Sequence, residues 1–323
     1  MALQKMALAC GLLMMSTAAL PQGPASGPEN ATSADRASTD AQPDTPGTGP
    51  FPAIKEVDPS LPDHVVYRPA DLAKLGGRKL GVLVWGNGGC AADGASARFH
   101  LLEIASHGYL VIAPGKIMTG GARPPRAPTP NPAQSGAALL PPVATTAKDV
   151  AAGIDWALAE NDRAGSRYEG LIDAKEIAVG GHSCGGLQAL QIASDPRIRT
   201  VLVHNSGVFT DGSNPIQGIR VDKSILKTVH TSIIYFIGGK SDIAYPNGTD
   251  DYARITHVPA VLVDSDVGHG GTFGQPNGGR VAQLAVNWLD WQLRGDKEAA
   301  KTFVGADCRL CADPKWTIQR KGF

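Results

Sequence analysis

The chain lacks any excess of charge: 30 Lys and Arg balance 30 Asp and Glu. That balance removes the electrostatic case for a nucleic-acid or anionic-membrane partner. It also lacks a membrane-spanning run, since the apolar stretch Met6 to Met15 is too short to cross a bilayer. No internal repeat is visible. No His-x-His or His-Glu-x-x-His occurs, and the cysteines do not have zinc-ligand spacing with histidines, so no metal is expected. The glycine-rich turn Gly86-x-Gly88-Gly89 lacks the spacing of a dinucleotide fingerprint and its helix-opening glycine, so no cofactor is expected either. What is present is 323 residues at 42% hydrophobic, enough for one large α/β core and expected to be monomeric.

The N-terminus looks like a processing segment. Lys5 is a short basic region, Met6 to Met15 an apolar one, and Ser16-Thr17-Ala18-Ala19 supplies small residues for cleavage. Residues 1–19 therefore read as a signal peptide and the product as secreted or periplasmic. Lipid attachment at Cys10 is disfavoured because few apolar residues precede it. Residues 20–52 are rich in Pro, Gly, Ser, Thr, Ala and Asp, with almost no large apolar side chains to offset the entropy of ordering, so they read as a disordered linker. Residues 53–323 are then the folded domain. Beyond Cys10 four cysteines remain, Cys90, Cys184, Cys308 and Cys311, which fits export as a disulfide-bonded protein. They allow three pairings, and the sequence does not choose among them.

Within the domain, short β-branched runs alternate with helical patterns, which predicts an α/β fold with a mostly parallel central sheet flanked by helices. Strands are expected at Leu80–Trp85, Tyr109–Ala113, Glu176–Gly180, Thr200–His204, Ser232–Ile237 and Ala260–Asp264, with an antiparallel edge at Val65–Arg68. Helices are expected at Ala97–His107, Thr146–Glu160, Gly185–Ser194 and Arg280–Leu293. The last places Val281, Leu284, Ala285, Trp288 and Leu289 on one face. Two segments break the alternation. The Pro-rich stretch Ile117–Val143 is long for a connection and should border any site at the carboxyl strand ends. Gly207–His230 is short, so no large lid domain is expected.

The chemistry concentrates at Gly181-His182-Ser183-Cys184-Gly185. An apolar strand precedes it and a helix follows, the pattern of a nucleophile elbow. Its glycines allow a turn in which a Cβ would clash. A serine hydroxyl is a weak nucleophile and needs a base within hydrogen-bond reach. His269, in a glycine-flanked loop after the run Ala260–Val263, is the candidate base; His182 should point away, His204 is placed to line a cleft, and the remaining histidines read as surface or core. Asp242, after Ile233–Ile237, is the candidate acid that orients the imidazole, with Asp250, Asp251, Asp264 and Asp266 as alternatives. Two backbone N–H groups, of Asn87 and Cys184, are expected to form the oxyanion hole. Trp85, Gly88, Phe209 and Tyr245 are candidate substrate-binding walls.

Ile104-Ala105-Ser106-His107-Gly108-Tyr109-Leu110-Val111-Ile112, the elbow, Lys240-Ser241-Asp242-Ile243-Ala244 and Gly268-His269 together resemble the α/β-hydrolase superfamily. The nearer likeness is to its dienelactone-hydrolase-like and cutinase-like polyester hydrolase branch. The likeness covers most of residues 80–311. It implies a serine esterase acting through an acyl-enzyme on a small-molecule or polymeric ester, or a thioesterase or peptidase on the same fold; a non-catalytic binding scaffold would be expected to have lost a triad member. The polyester hydrolases carry aromatics in the oxyanion loop and after the sixth core strand, where this chain has Asn87 and Asn205-Ser206-Gly207-Val208-Phe209. In such a fold Cys90 and Cys184 end adjacent strands, which favours the pairs Cys90–Cys184 and Cys308–Cys311.

Overall fold

A computed structural model of the chain describes residues 41–120 and 142–323; the expected signal peptide, the first part of the linker and most of the Pro-rich segment lie outside the described residues. Among the described residues, nine strands form one sheet: β1 (Ala53–Glu56), β2 (His64–Pro69), β3 (Leu80–Gly86), β4 (Tyr109–Pro114), β5 (Ile172–His182), β6 (Thr200–His204), β7 (Ser232–Ile237), β8 (Ala260–Asp264) and β9 (Thr317–Lys321). Their order across the sheet is β1-β2-β4-β3-β5-β6-β7-β8-β9. The six strands from β4 to β8 are parallel, and the pairs β1/β2, β2/β4 and β8/β9 are antiparallel. The helices are α1 (Arg98–Ser106), α2 (Ala147–Asp162), α3 (Cys184–Ile192), α4 (Tyr245–Arg254), α5 (Gly279–Arg294) and the single turn α6 (Lys297–Ala300).

Both faces of the parallel strands are covered, so these strands are continuously apolar. Alternation along β3 divides its side chains. Val82 and Val84 join the core under α2 and α3; Leu83 and Trp85 join the core under α1 and α5. α2 starts at a capping box, in which Thr146 and Asp149 satisfy each other's backbone donors. α5 ends at Gly295, whose left-handed conformation (φ 67°) closes the helix.

Two expectations are corrected here. Residues 44–52 are not a free linker. The N–H groups of Gly49 and Phe51 bond to Ser106 Oγ and O (2.9 and 3.0 Å), and Thr48 N–H bonds to the buried Glu103 carboxylate (2.8 Å). The last turn of α1 has carbonyls with no intrahelical donor, and this incoming segment supplies one. The folded body thus begins before position 53. Second, Val65–Arg68 lies in β2, an inner strand; β1 lies outside it, held in part by Arg68 on Glu56 (2.8 Å). The opposite edge, which the sequence reading does not address, is β9, a strand in the C-terminal tail with polar, largely exposed side chains. It pairs with the full length of β8, Ala260 opposite Lys321 through Asp264 opposite Thr317.

Segment 207–230 is coil followed by the 3-10 turn Lys223–Thr228. Two disulfides close, Cys90–Cys184 and Cys308–Cys311. Among the described residues, no helix is long and apolar enough to cross a membrane.

Candidate active site

The carboxyl ends of β3, β5, β6, β7 and β8 meet at one rim, and each contributes to the site. β5 ends at His182, and α3 begins at Cys184. Ser183, between them, has φ 52° and ψ −120°, a conformation non-glycine residues rarely adopt. The surroundings hold it there. Its N–H bonds to His204 O (2.9 Å), and its carbonyl accepts from Ser206 Oγ (2.7 Å) and Gly186 N–H (2.9 Å). Gly185 must be glycine because a Cβ there would lie 2.0 Å from Gly86 O and 2.6 Å from Asn87 N. That contact presses the loop after β3 directly against the elbow.

Ser183 Oγ lies 2.9 Å from His269 Nε2, and His269 Nδ1 lies 2.6 Å from Asp242 Oδ1. The three side chains named from the sequence thus form one hydrogen-bonded line. Asp242 is 1% exposed. Burial by itself would raise its pKa. Hydrogen bonds from His269, Ala244 N–H (2.9 Å), Asn205 Nδ2 (2.8 Å) and Gly238 N–H (3.0 Å) outweigh burial and hold the carboxyl below its ordinary value. The carboxylate therefore carries its charge against the His269 Nδ1–H.

The alternative carboxylates are engaged elsewhere. Asp251 is buried behind the loop after β6, where it accepts from Val208 N–H (2.8 Å) and pairs with Lys223 (2.6 Å); burial pushes its pKa up to about 6. Asp250 pairs with Lys223 and Arg254, Asp264 accepts Gly239 N–H (2.7 Å), and Asp266 accepts Ser241 Oγ (3.2 Å).

The two expected oxyanion donors sit on facing chain segments. Cys184 is the first residue of α3, so its N–H has no acceptor inside the helix. Asn87 is buried, and its side-chain amide donates to Ala91 O (2.9 Å) and Pro114 O (2.7 Å), which fixes the loop that carries its backbone. The Cys90–Cys184 disulfide joins the same two segments.

The expected walls fare differently. Gly88 is half-buried beside His182. Phe209 and Tyr245 are half-buried and pack on the core under α2 and α3. Trp85 is fully buried, so it offers no surface to a substrate. The pleat of β3 turns it to the α1 face, where its ring packs on His100 (5.2 Å between centroids), His204 (5.1 Å) and Phe273 (5.9 Å). His204, expected beside the cleft, is buried in the same cluster. A separate cavity of about 480 Å³, bordered by Asp63, His64, Pro114, Lys116 and Thr145, does not include the Ser183, Asp242 and His269 line.

Two residues of the site escape sequence reading. Asn205, at φ 46°, bonds Asp242 Oδ2 and also Gly268 O (3.1 Å). An asparagine directly after a strand tolerates that left-handed turn, the only sequence signal it offers. His182 does not point away; its Nε2 bonds His269 O at 2.8 Å. Among the described residues, no cluster of His, Cys, Asp and Glu is arranged to hold a metal. No protein-family model matches this chain, and no curated protein matches it significantly.

Proposed function

We propose that the protein is a serine hydrolase of the α/β-hydrolase type that cleaves carboxylic esters through an acyl-enzyme. One observation carries this reading: the line from Ser183 Oγ through His269 to a buried, ionised Asp242, at 2.9 and 2.6 Å. The strained backbone at Ser183, the strand-turn-helix around it and the mostly parallel sheet beneath support it. The two disulfides suit an exported protein.

In the proposed reaction Ser183 Oγ attacks the ester carbonyl carbon while its proton passes to His269 Nε2. The carbonyl oxygen becomes an oxyanion and takes hydrogen bonds from the N–H groups of Cys184 and Asn87. Asp242 stabilises the imidazolium without taking its proton. The tetrahedral intermediate collapses, the C–O bond to the alcohol breaks, and His269 returns the proton to the departing oxygen. Water then attacks the acyl-Ser183 by the same route, releasing the acid and regenerating Ser183. Asn87 stands where the polyester hydrolases carry an aromatic in the oxyanion loop, and its side chain is turned inward, so the proposal names carboxylic esters in general and not an aromatic polyester.

Ser183→Ala should abolish turnover of a p-nitrophenyl ester, a loss of at least about a thousandfold, with the thermal transition retained. A fluorophosphonate probe should label Ser183 in the unmutated protein. Turnover that survives Ser183→Ala would overturn the reading.

A further inference from the structure

We propose that His182 is a positioning residue: its Nε2–H, bonded to the main-chain carbonyl of His269, ties the base to the residue next to the nucleophile. The proposal rests on the reading of Ser183 and His269 given above.

The loop that carries His269 has little stiffness of its own. Gly268 (φ 69°), Gly270 and Gly271 (φ 53°) surround it, and glycines leave the backbone many alternatives. A base on such a loop needs external restraint to stay within bonding distance of Ser183 Oγ. Two successive carbonyls provide it. Gly268 O is held by Asn205 Nδ2 (3.1 Å), and His269 O is held by His182 Nε2 (2.8 Å).

The second tether closes a short ring. It runs from Ser183 through one peptide bond to His182, across to His269 O, along the His269 side chain, and back to Ser183 Oγ. The distance between base and nucleophile is therefore restrained by their own neighbours as well as by the bonds from Asp242 and Asn205. The ring nitrogens of His182 have defined roles. A carbonyl oxygen can only accept, so Nε2 carries the proton. Burial pushes the imidazole pKa down to about 4, so near neutrality the ring has one proton and leaves Nδ1 bare. Nδ1 faces Gly88, where a Cβ would lie 2.6 Å away; the glycine of the oxyanion loop makes the room His182 occupies.

The test compares two residues of similar length that differ in one donor. In His182→Gln the amide nitrogen takes the place of Nε2; in His182→Met no donor remains. With a p-nitrophenyl ester, His182→Met should lower kcat about ten- to a hundredfold with KM within about twofold, as loss of alignment predicts, and His182→Gln should restore most of that rate. If the Met variant does not fold, His182→Asn replaces it, because its amide is one bond too short to reach His269 O and the same loss is expected. Equal rates for the Gln variant and the donorless or short variant, whether near the parent or equally slowed, overturn the tether, as does a loss confined to KM. Fluorophosphonate labelling of the parent protein separates the two readings. A labelled Ser183 with equal variants removes the tether alone, whereas an unlabelled Ser183 removes the hydrolase reading and the tether with it.

Discussion

The elbow and the C-terminal tail each carry a disulfide, and the two do different things. Cys90–Cys184 closes 94 residues of chain and joins the loop after β3 to the first turn of α3. Cys308–Cys311 spans 3 residues inside one turn and keeps Cys308 packed with Phe303 and Leu310 under α5. Around the first, the backbone is strained, with positive φ at Cys90 (47°), Ser183 (52°) and Asn205 (46°). Around the second there is ordinary apolar packing, and an Arg320 guanidinium donates to Phe303 O (2.8 Å). Strain and long-range closure gather at the proposed site, where groups would have to be aimed; local closure and burial suffice where a chain end need only be held. Loop entropy points the same way, since closing about 94 residues removes about 4–5 kcal/mol of unfolded-chain freedom and a loop of 3 under about 2.

The contrast is open to direct attack. Asp242→Asn should have the largest effect, about a thousandfold or more in kcat, because an amide cannot hold the His269 tautomer or balance the imidazolium; a small loss in ester assays would mean the Ser183 line is not used. Replacing Cys90 and Cys184 together by serine should cost about tenfold in kcat and lower the melting temperature by several degrees, because the bridge joins both halves of the proposed oxyanion hole. The same exchange at Cys308 and Cys311 should leave kcat unchanged and shift melting only slightly. Equal kinetic losses from the two pairs would erase the distinction. Asn205→Ala removes one hydrogen bond to Asp242 and one to the His269 loop, and a kcat loss of about ten- to thirtyfold is expected, with melting little changed if positioning is its main task.

Acid sharpens the same contrast more gently. Burial lowers the pKa of His182 to about 4 and of His100 to about 3, and drives His204 well below its ordinary value; the tail after Gly295 has no histidine. In the unfolded chain these groups protonate near 6.5. Between about pH 6.5 and 4 the unfolded state therefore binds more protons, and stability falls as the solution is acidified. Asp242, with its folded pKa depressed, adds a further loss lower still, as pH drops through its folded value. Urea unfolding at pH 7, 6 and 5 should show a declining free energy, and His204→Phe should flatten that decline by about one proton. An unchanged slope in that variant would mean His204 is not buried neutral.

Much of this molecule is legible before any coordinates. The central strands read correctly because residues such as Ile233 to Ile237 are buried on both faces and their apolar runs need no partner to be recognised. The elbow reads because its three parts are contiguous. The edge strands do not read: β9 is polar and mostly exposed, and only the β8 ladder makes it a strand. Residues 44–52 have the composition of a linker, yet the unpaired end of α1 orders them. Trp85 reads as a wall because the sequence shows its position at a strand end but not the face it takes.

By itself the sequence determined the alternation of strands and helices, the strained serine turn and the order serine, aspartate, histidine along the chain. These depend on local periodicity and on contiguous residue types. The tertiary structure alone decided that Asn205 and His182 hydrogen-bond successive carbonyls of the loop that carries His269, and that Trp85 turns inward. Those depend on which distant backbone carbonyl or ring a side chain meets once the sheet is assembled, and residue spacing along one chain does not carry that information.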